Sequence, residues 1–94
     1  MTHRIVIAED ETVIRNNLAR LLRIEGYGVA AAANGREALT LILQAPPDLV
    51  LTDWHMPGMG GLELLQVLRQ THGTSMVIGF VTTESVKDRL DEAV

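Results

Sequence analysis

Three acidic residues and a threonine stand where short apolar segments of this sequence end. Glu9 and Asp10 follow the first such segment, Asp53 follows another and Thr82 follows a third. If these segments are parallel strands, their carboxyl ends share one edge of a sheet, and the four side chains converge there. Carboxylates gathered without a counter-charge repel one another, and a hard divalent cation relieves that repulsion. The pattern predicts a Mg²⁺ site beside Asp53, whose carboxylate could attack phosphorus, with the Thr82 hydroxyl bonding an oxyanion nearby.

Other phosphate and metal chemistries fit the sequence less well. It has no cysteine and only three scattered histidines, which argues against zinc. No GxxxxGK[ST] loop is present, and Glu63 stands where a GxGxxG pattern needs its last glycine. Two structural readings stay open: Asp53 could cap a turn, and the run from Glu9 to Glu11 could simply begin a helix.

The periodicity of the chain supplies the elements that would position these residues. Apolar runs predict strands at residues 5–8, 49–52 and 76–82. The alanines of residues 27–33 favour a helix by propensity, and only the position of this segment between two helices indicates a strand. Helical spacing predicts helices that begin at Thr12, after Asn34-Gly35, near Leu62 and near Val86. In the first helix Leu18, Leu21 and Leu22 belong to the predicted apolar stripe, and Gly26 ends it. Strand and helix alternate, so we expect an α/β fold with a doubly wound parallel sheet.

Composition narrows the class of protein. Ninety-four residues, 47% hydrophobic and 21% charged, predict one small globular domain. A net charge of −4 with scattered basic residues argues against direct nucleic-acid binding. No apolar run is long enough for a membrane span or signal peptide. The lack of cysteine agrees with a cytoplasmic location.

Several linked motifs in this order resemble the receiver domain of bacterial response regulators, such as the chemotaxis regulator. The motifs that carry the resemblance are Glu9-Asp10, residues 34–39 (NGREAL), 47–53 (PDLVLTD), 56–59 (MPGM), 61–65 (GLELL) and Val81-Thr82. The resemblance covers the whole chain and implies a flavodoxin-like fold. It also implies a two-component signalling switch that is not itself an enzyme.

The same resemblance implies a role for each site residue. Asp53 would accept a phosphoryl group from a sensor histidine kinase. Asp10 would bind Mg²⁺ directly, Glu9 would act through metal-bound water, and the main-chain carbonyl of His55 would complete the ligands. Thr82 would bond the phosphoryl oxygen and carry the switch to the surface.

Three positions near the site depart from the usual family pattern. Thr83 stands where a small residue is usual, which would crowd access to Asp53. His55 and Glu84 occupy variable positions that face the phosphoryl group, so we expect them to tune the lifetime of the phosphate.

The resemblance also implies that residues 1–94 are a receiver fragment that stops before a fifth strand and helix. That missing unit is roughly 25 residues long and would carry a lysine that pairs with the phosphoryl group. Lys87, the single lysine of the sequence, is no plausible substitute. The fourth strand would then be an open edge, and we expect a second copy to cover it as a homodimer or swapped dimer.

Two further functions are compatible with the sequence. A truncated receiver-like module could act as a non-phosphorylated interaction or dimerisation unit, which the missing lysine favours. An aspartyl-nucleophile phosphatase fits less well, because its nucleophile is expected in a DxD pattern after the first strand, where this chain has Glu9-Asp10-Glu11.

Overall fold

A computed structural model describes residues 3–53, 58–72 and 77–81 of the chain. The elements, in chain order, are β1 (Arg4–Ala8), α1 (Thr12–Ile24), β2 (Gly28–Ala32), α2 (Gly35–Gln44), β3 (Leu49–Asp53), α3 (Gly61–His72) and β4 (Val77–Val81). Their alternation confirms the predicted α/β class. The fourth predicted helix lies outside the described residues.

All four strands form one parallel sheet in the order β2-β1-β3-β4. This is the order with which flavodoxin-like sheets begin. In the register of β1 with β3, Ile5 lies opposite Leu49 and Ala8 opposite Thr52. The chain therefore leaves β1 and β3 at the same level, with Glu9 and Asp53 next to each other.

Alternating side chains of the strands divide the core between the two faces of the sheet. On one face Val6 and Val50 pack with residues of α2 and α3, including the fully buried Ile42, Leu64 and Leu68. On the other face Ile5 and Ile7 pack against α1 through Ala19, Leu18 and Leu22. Burial on both faces of the two central strands explains why β1 and β3 are continuous apolar runs rather than alternating ones.

Helix α1 ends as the sequence predicts. Gly26 has φ +97°, and its N–H donates to the carbonyl of Arg23, while the N–H of Tyr27 donates to Leu22. These are the two hydrogen bonds of a Schellman motif with glycine at C′. One prediction for α1 is wrong: Leu21 is 61% exposed, because the sheet contacts a narrower stripe of the helix centred on Ala19.

Helix α2 begins with a reciprocal cap beside the loop that follows β3. The Asn34 side chain accepts from the N–H of Glu37 at 2.9 Å, and the Glu37 carboxylate accepts from the N–H of Ala33 at 3.1 Å. This is the capping-box principle, shifted back by one residue. A Cβ at Gly35 would lie 2.5 Å from the carbonyl oxygen of Met59, so only glycine allows the loop to approach this closely.

The helices within the described ranges are short. None of those three helices is long and apolar enough to cross a membrane.

Candidate functional site

The acidic residues lie between β1 and β3, where the connections to the neighbouring strands run in opposite directions along the sheet. From β1 the chain winds outward to β2 on one side, whereas β3 and β4 extend the sheet on the other. Such a switch point leaves a crevice beyond the carboxyl ends of the two central strands, where ligands bind in open α/β folds. Glu9 and Asp10 enter this crevice from β1, and Asp53 enters it as the last residue of β3.

The three carboxylates are brought together as predicted. One oxygen each from Glu9, Asp10 and Asp53 lies within 4.8 Å of the other two. In a Mg²⁺ octahedron with Mg–O distances of about 2.1 Å, adjacent ligand oxygens lie about 3.0 Å apart and opposite ones about 4.2 Å apart. The donor set is all oxygen, and its spacing of up to 4.8 Å is wider than these distances, so the residues fit Mg²⁺ if the carboxylates move closer or bind it partly through intervening water.

Glu9 has the most perturbed environment of the three. It is 2% exposed, and burial raises the pKa of its carboxyl to about 7, with further contributions from a hydrogen bond and like charge at Asp53 and like charge at Asp10. The N–H of Glu11, which donates to the Glu9 carboxylate at 3.1 Å, opposes this rise in pKa. Near neutral pH a proton on Glu9 therefore reduces the repulsion among the three carboxyl groups.

A second indication that the site binds a ligand is a buried oxygen of Asp10. Its Oδ1 atom is buried and accepts no hydrogen bond from the part of the chain that the structure describes. A buried carboxylate oxygen without a donor is costly, and a cation in the crevice would satisfy it. This orphaned oxygen is an observation separate from the spacing of the three acids, and it supports the same ligand.

Hydrogen bonds to the main chain hold the segment that carries Glu9 and Asp10. The N–H of Glu9 donates to the carbonyl of Ala32 at 3.0 Å, which extends the pairing of β1 with β2 by one residue. Arg15, on the first turns of α1, donates from Nη1 to the carbonyl of Glu9 at 2.9 Å. Sequence reasoning missed Arg15, because no spacing rule connects a helical arginine with main-chain carbonyls of the preceding loop.

A buried hydroxyl lies beside Asp53. Thr52, which is fully buried, donates from Oγ1 to the carbonyl of Asp53 at 3.1 Å, so its polar group is satisfied without solvent. Asp53 itself is 4% exposed. Asp53 therefore does not lie at the surface of the described structure.

Four of the predicted site residues lie outside the described residues: His55, Thr82, Thr83 and Glu84. Their assigned roles stay predictions. The structure therefore brings together Glu9, Asp10 and Asp53 of the expected set.

The family model for the response regulator receiver domain matches residues 5–94. This chain belongs to the response regulator receiver family. The match includes Glu9, Asp10 and Asp53, and it confirms the resemblance noted from the sequence motifs.

Individual relatives agree with this assignment. The receiver domain is 38% identical over 90 residues to response regulator MprA of Mycolicibacterium vanbaalenii, covering 96% of this chain and 39% of that protein. It is 36% identical over 86 residues to the DNA-binding response regulator MtrA of Mycobacterium tuberculosis, covering 92% of this chain and 38% of that protein. The chain thus spans less than two-fifths of the length of these curated relatives.

A solved structure supports the fold. The chemotaxis protein CheY4 of Vibrio cholerae superposes with a TM-score of 0.83 at 31% identity, over 99% of this chain and 80% of that chain. The flavodoxin-like fold predicted from the sequence is confirmed.

Membership places this domain in two-component signal transduction, in which response regulators receive signals from sensor histidine kinases. The family is one of signalling modules rather than enzymes. The alternative of a non-phosphorylated interaction module is not favoured by these relatives.

Proposed function

We propose that this receiver domain accepts a phosphoryl group on Asp53 in a Mg²⁺-dependent, self-catalysed reaction. The observation that carries the proposal is the convergence of carboxylate oxygens from Glu9, Asp10 and Asp53 within 4.8 Å at the switch point of the sheet. The orphaned Oδ1 of Asp10 adds support for a cation there.

Each acid would have a distinct task. Asp10 would bind the cation directly, and Glu9 would contact it through water, with the main-chain carbonyl of His55 as a further ligand. Cation binding would release the proton that burial keeps on Glu9 near neutral pH. Asp53 would contribute to the same site and carry the acceptor oxygen.

In the proposed transfer a carboxylate oxygen of Asp53 attacks the phosphorus of a phosphohistidine on a sensor kinase. The O–P bond forms as the P–N bond breaks, and the electron pair of that bond returns to the imidazole nitrogen. Bound Mg²⁺ supplies positive charge that offsets the charge developing on the phosphoryl oxygens. Asp53 and Glu9 are both largely buried, so bulk water has little access to the reacting oxygen.

The remaining assignments concern the response to phosphorylation. Thr82 would bond the phosphoryl oxygen and carry the switch, while His55, Thr83 and Glu84 would set how fast the phosphate is lost. They are proposed on the resemblance of the sequence motifs alone.

The test uses acetyl phosphate as donor, with Mg²⁺ present, and intact-protein mass as readout. We expect the wild-type chain to gain one phosphoryl group that hydroxylamine removes, and Asp53→Asn to gain none. Asp48→Asn is the matched control, since Asp48 is an exposed aspartate just before the same strand, at its opposite end. Labelling of Asp53→Asn to the wild-type level would overturn the proposal.

Partners and location follow from the same role. We propose a sensor histidine kinase as the phosphoryl donor in a cytoplasmic setting, with no direct contact to nucleic acid or membrane. The homodimer expected through β4 stays a prediction. Among the described strands β4 pairs with β3 alone, and Val77 is 63% exposed. Sedimentation that shows a monomer at every concentration would exclude the dimer.

A further inference from the structure

Arg15 is a cationic residue that contacts the main chain, and not the carboxylates, of two acids of the site. It is the fourth residue of α1, and its own N–H donates to the carbonyl of Glu11 at 2.8 Å, which fixes the start of the helix. From there the guanidinium reaches back over the loop between β1 and α1. Nη1 donates to the carbonyl of Glu9 at 2.9 Å and makes a longer contact of 3.5 Å with the carbonyl of Asp10.

These two carbonyls belong to the loop between the end of β1 at Ala8 and the start of α1 at Thr12. The N-cap residue Glu11 makes no side-chain capping bond, but its N–H donates to the Glu9 carboxylate at 3.1 Å. The main chain of Glu9 makes two further bonds, from its N–H to the carbonyl of Ala32 and from Arg15 to its own carbonyl. Arg15 is therefore one of the contacts that restrain the main chain of this loop.

The orientation of the loop decides where the carboxylates point. Rotating the peptide groups between Glu9 and Glu11 would turn the two side chains away from Asp53, and the repulsion among three carboxylates favours such a rotation. A guanidinium that donates to the carbonyls on that segment opposes the rotation and leaves the carboxylate oxygens available for a metal.

We propose that Arg15 is a positioning residue for the cation site, which holds the main-chain carbonyls of Glu9 and Asp10 so that both carboxylates face Asp53. This inference rests on the proposed function, because it assumes that the site binds Mg²⁺. Arg15 acts through the residues it contacts and touches neither the metal nor the phosphoryl group.

The direction in which Mg²⁺ affinity changes when Arg15 is substituted distinguishes a positioning role from a purely electrostatic one. Arg15→Gln removes a positive charge near a site for a divalent cation, so a purely electrostatic role predicts tighter Mg²⁺ binding. A positioning role predicts weaker binding, by about ten- to a hundredfold, as is typical when a residue that orients metal ligands is lost. The affinity is measured by Mg²⁺ titration, followed by calorimetry and by fluorescence of Trp54, the single tryptophan, which adjoins Asp53 in sequence.

Arg23→Gln is the matched control. Arg23 lies on the same helix and also donates to a main-chain carbonyl, that of Val29 at 3.1 Å, but far from the acids. We expect its Mg²⁺ affinity to stay within twofold of wild type. Arg15→Lys keeps the charge but not the planar fork, so we expect it to recover only part of the lost affinity.

Unfolding in urea without metal shows that each variant is folded at the temperature of the titration. Tighter or unchanged Mg²⁺ binding in folded Arg15→Gln would overturn the inference, and so would an equal loss in Arg23→Gln. A wild-type chain that binds no Mg²⁺ would instead contradict the proposed function, so the two failures are distinguishable.

Discussion

The pKa of a carboxyl group is shifted in opposite directions at the two ends of the parallel strands. At the carboxyl edge Glu9 is buried beside two other acids, and the pKa of its carboxyl is raised to about 7. At the amino edge Asp48 is exposed, and the N–H of Arg4, which donates to it at 2.8 Å, lowers its pKa. His3, 3.5 Å from the Asp48 carboxylate, lowers it further.

This difference separates a carboxylate that stabilises the fold, at the amino ends of the strands, from carboxylates suited to binding a ligand, at the carboxyl ends. Asp48 has donors that satisfy its charge, and its N–H donates to the carbonyl of Arg4 at 2.8 Å, so it ties the starts of β1 and β3 together. Within the part of the chain that the structure describes, Glu9 and Asp10 make no salt bridge, so holding both carboxylates charged and close together costs stability without a ligand. A cluster of carboxylates that is costly to hold together without a counter-charge is typical of a cation-binding site.

The largest expected effect in this comparison is the stabilisation by metal. Mg²⁺ at a hundred times its Kd should raise the free energy of unfolding of the wild-type chain by about 2.7 kcal/mol. Asp10→Asn removes the proposed direct ligand and should lose this gain. Asp48→Asn at the other edge should keep it. Urea unfolding with Mg²⁺ and with a chelator measures both, and a full gain in Asp10→Asn would place the cation elsewhere.

The next effect is the pH dependence of stability without metal. The pKa of Glu9 is raised in the folded chain, so its contribution to stability is complete below its ordinary value of 4.5 and is lost as pH rises through about 7. We expect the wild-type chain to lose about 2 kcal/mol between pH 5 and pH 9 relative to Glu9→Gln, after allowance for solvent screening. Urea unfolding of both proteins in chelator across this range measures the difference. A difference independent of pH would contradict the raised pKa.

The smallest expected effect has the opposite sign. The pKa of Asp48 is lowered in the folded chain, so its contribution is present above its ordinary value of 3.8 and is lost as pH falls through the lower folded value. Asp48→Asn should therefore be slightly less stable than wild type at pH 7, with the deficit shrinking in acid. Thermal unfolding at pH 7 and pH 3 compares the two, and a deficit that grows in acid would refute the assignment.

Much of the fold was predictable because the local signals agree with the tertiary structure. The β-branched run after Arg4 forms a strand that is buried on both faces, and Gly26 has the left-handed φ that its position after α1 predicts. Asn34 caps α2 as its place before Gly35 predicts. Three leucines expected in the core are exceptions, because periodicity predicts an apolar stripe but not its width, which the neighbouring elements decide: Leu21, Leu43 and Leu62 are exposed.

For the site, the sequence alone determined which acids come together: acids that follow parallel strands must lie at the same end of the sheet, because the alternation with helices fixes the strand direction. Only the tertiary structure decided how those acids differ from one another. The burial of Glu9 and the Asp10 oxygen that accepts no hydrogen bond from the described residues depend on packing between segments distant in sequence. Arg15 contacts carbonyls only five and six residues away, but its approach depends on how the loop after β1 folds back toward α1. Desolvation and hydrogen-bond geometry arise from that packing, so no pattern of residue types along the chain specifies them.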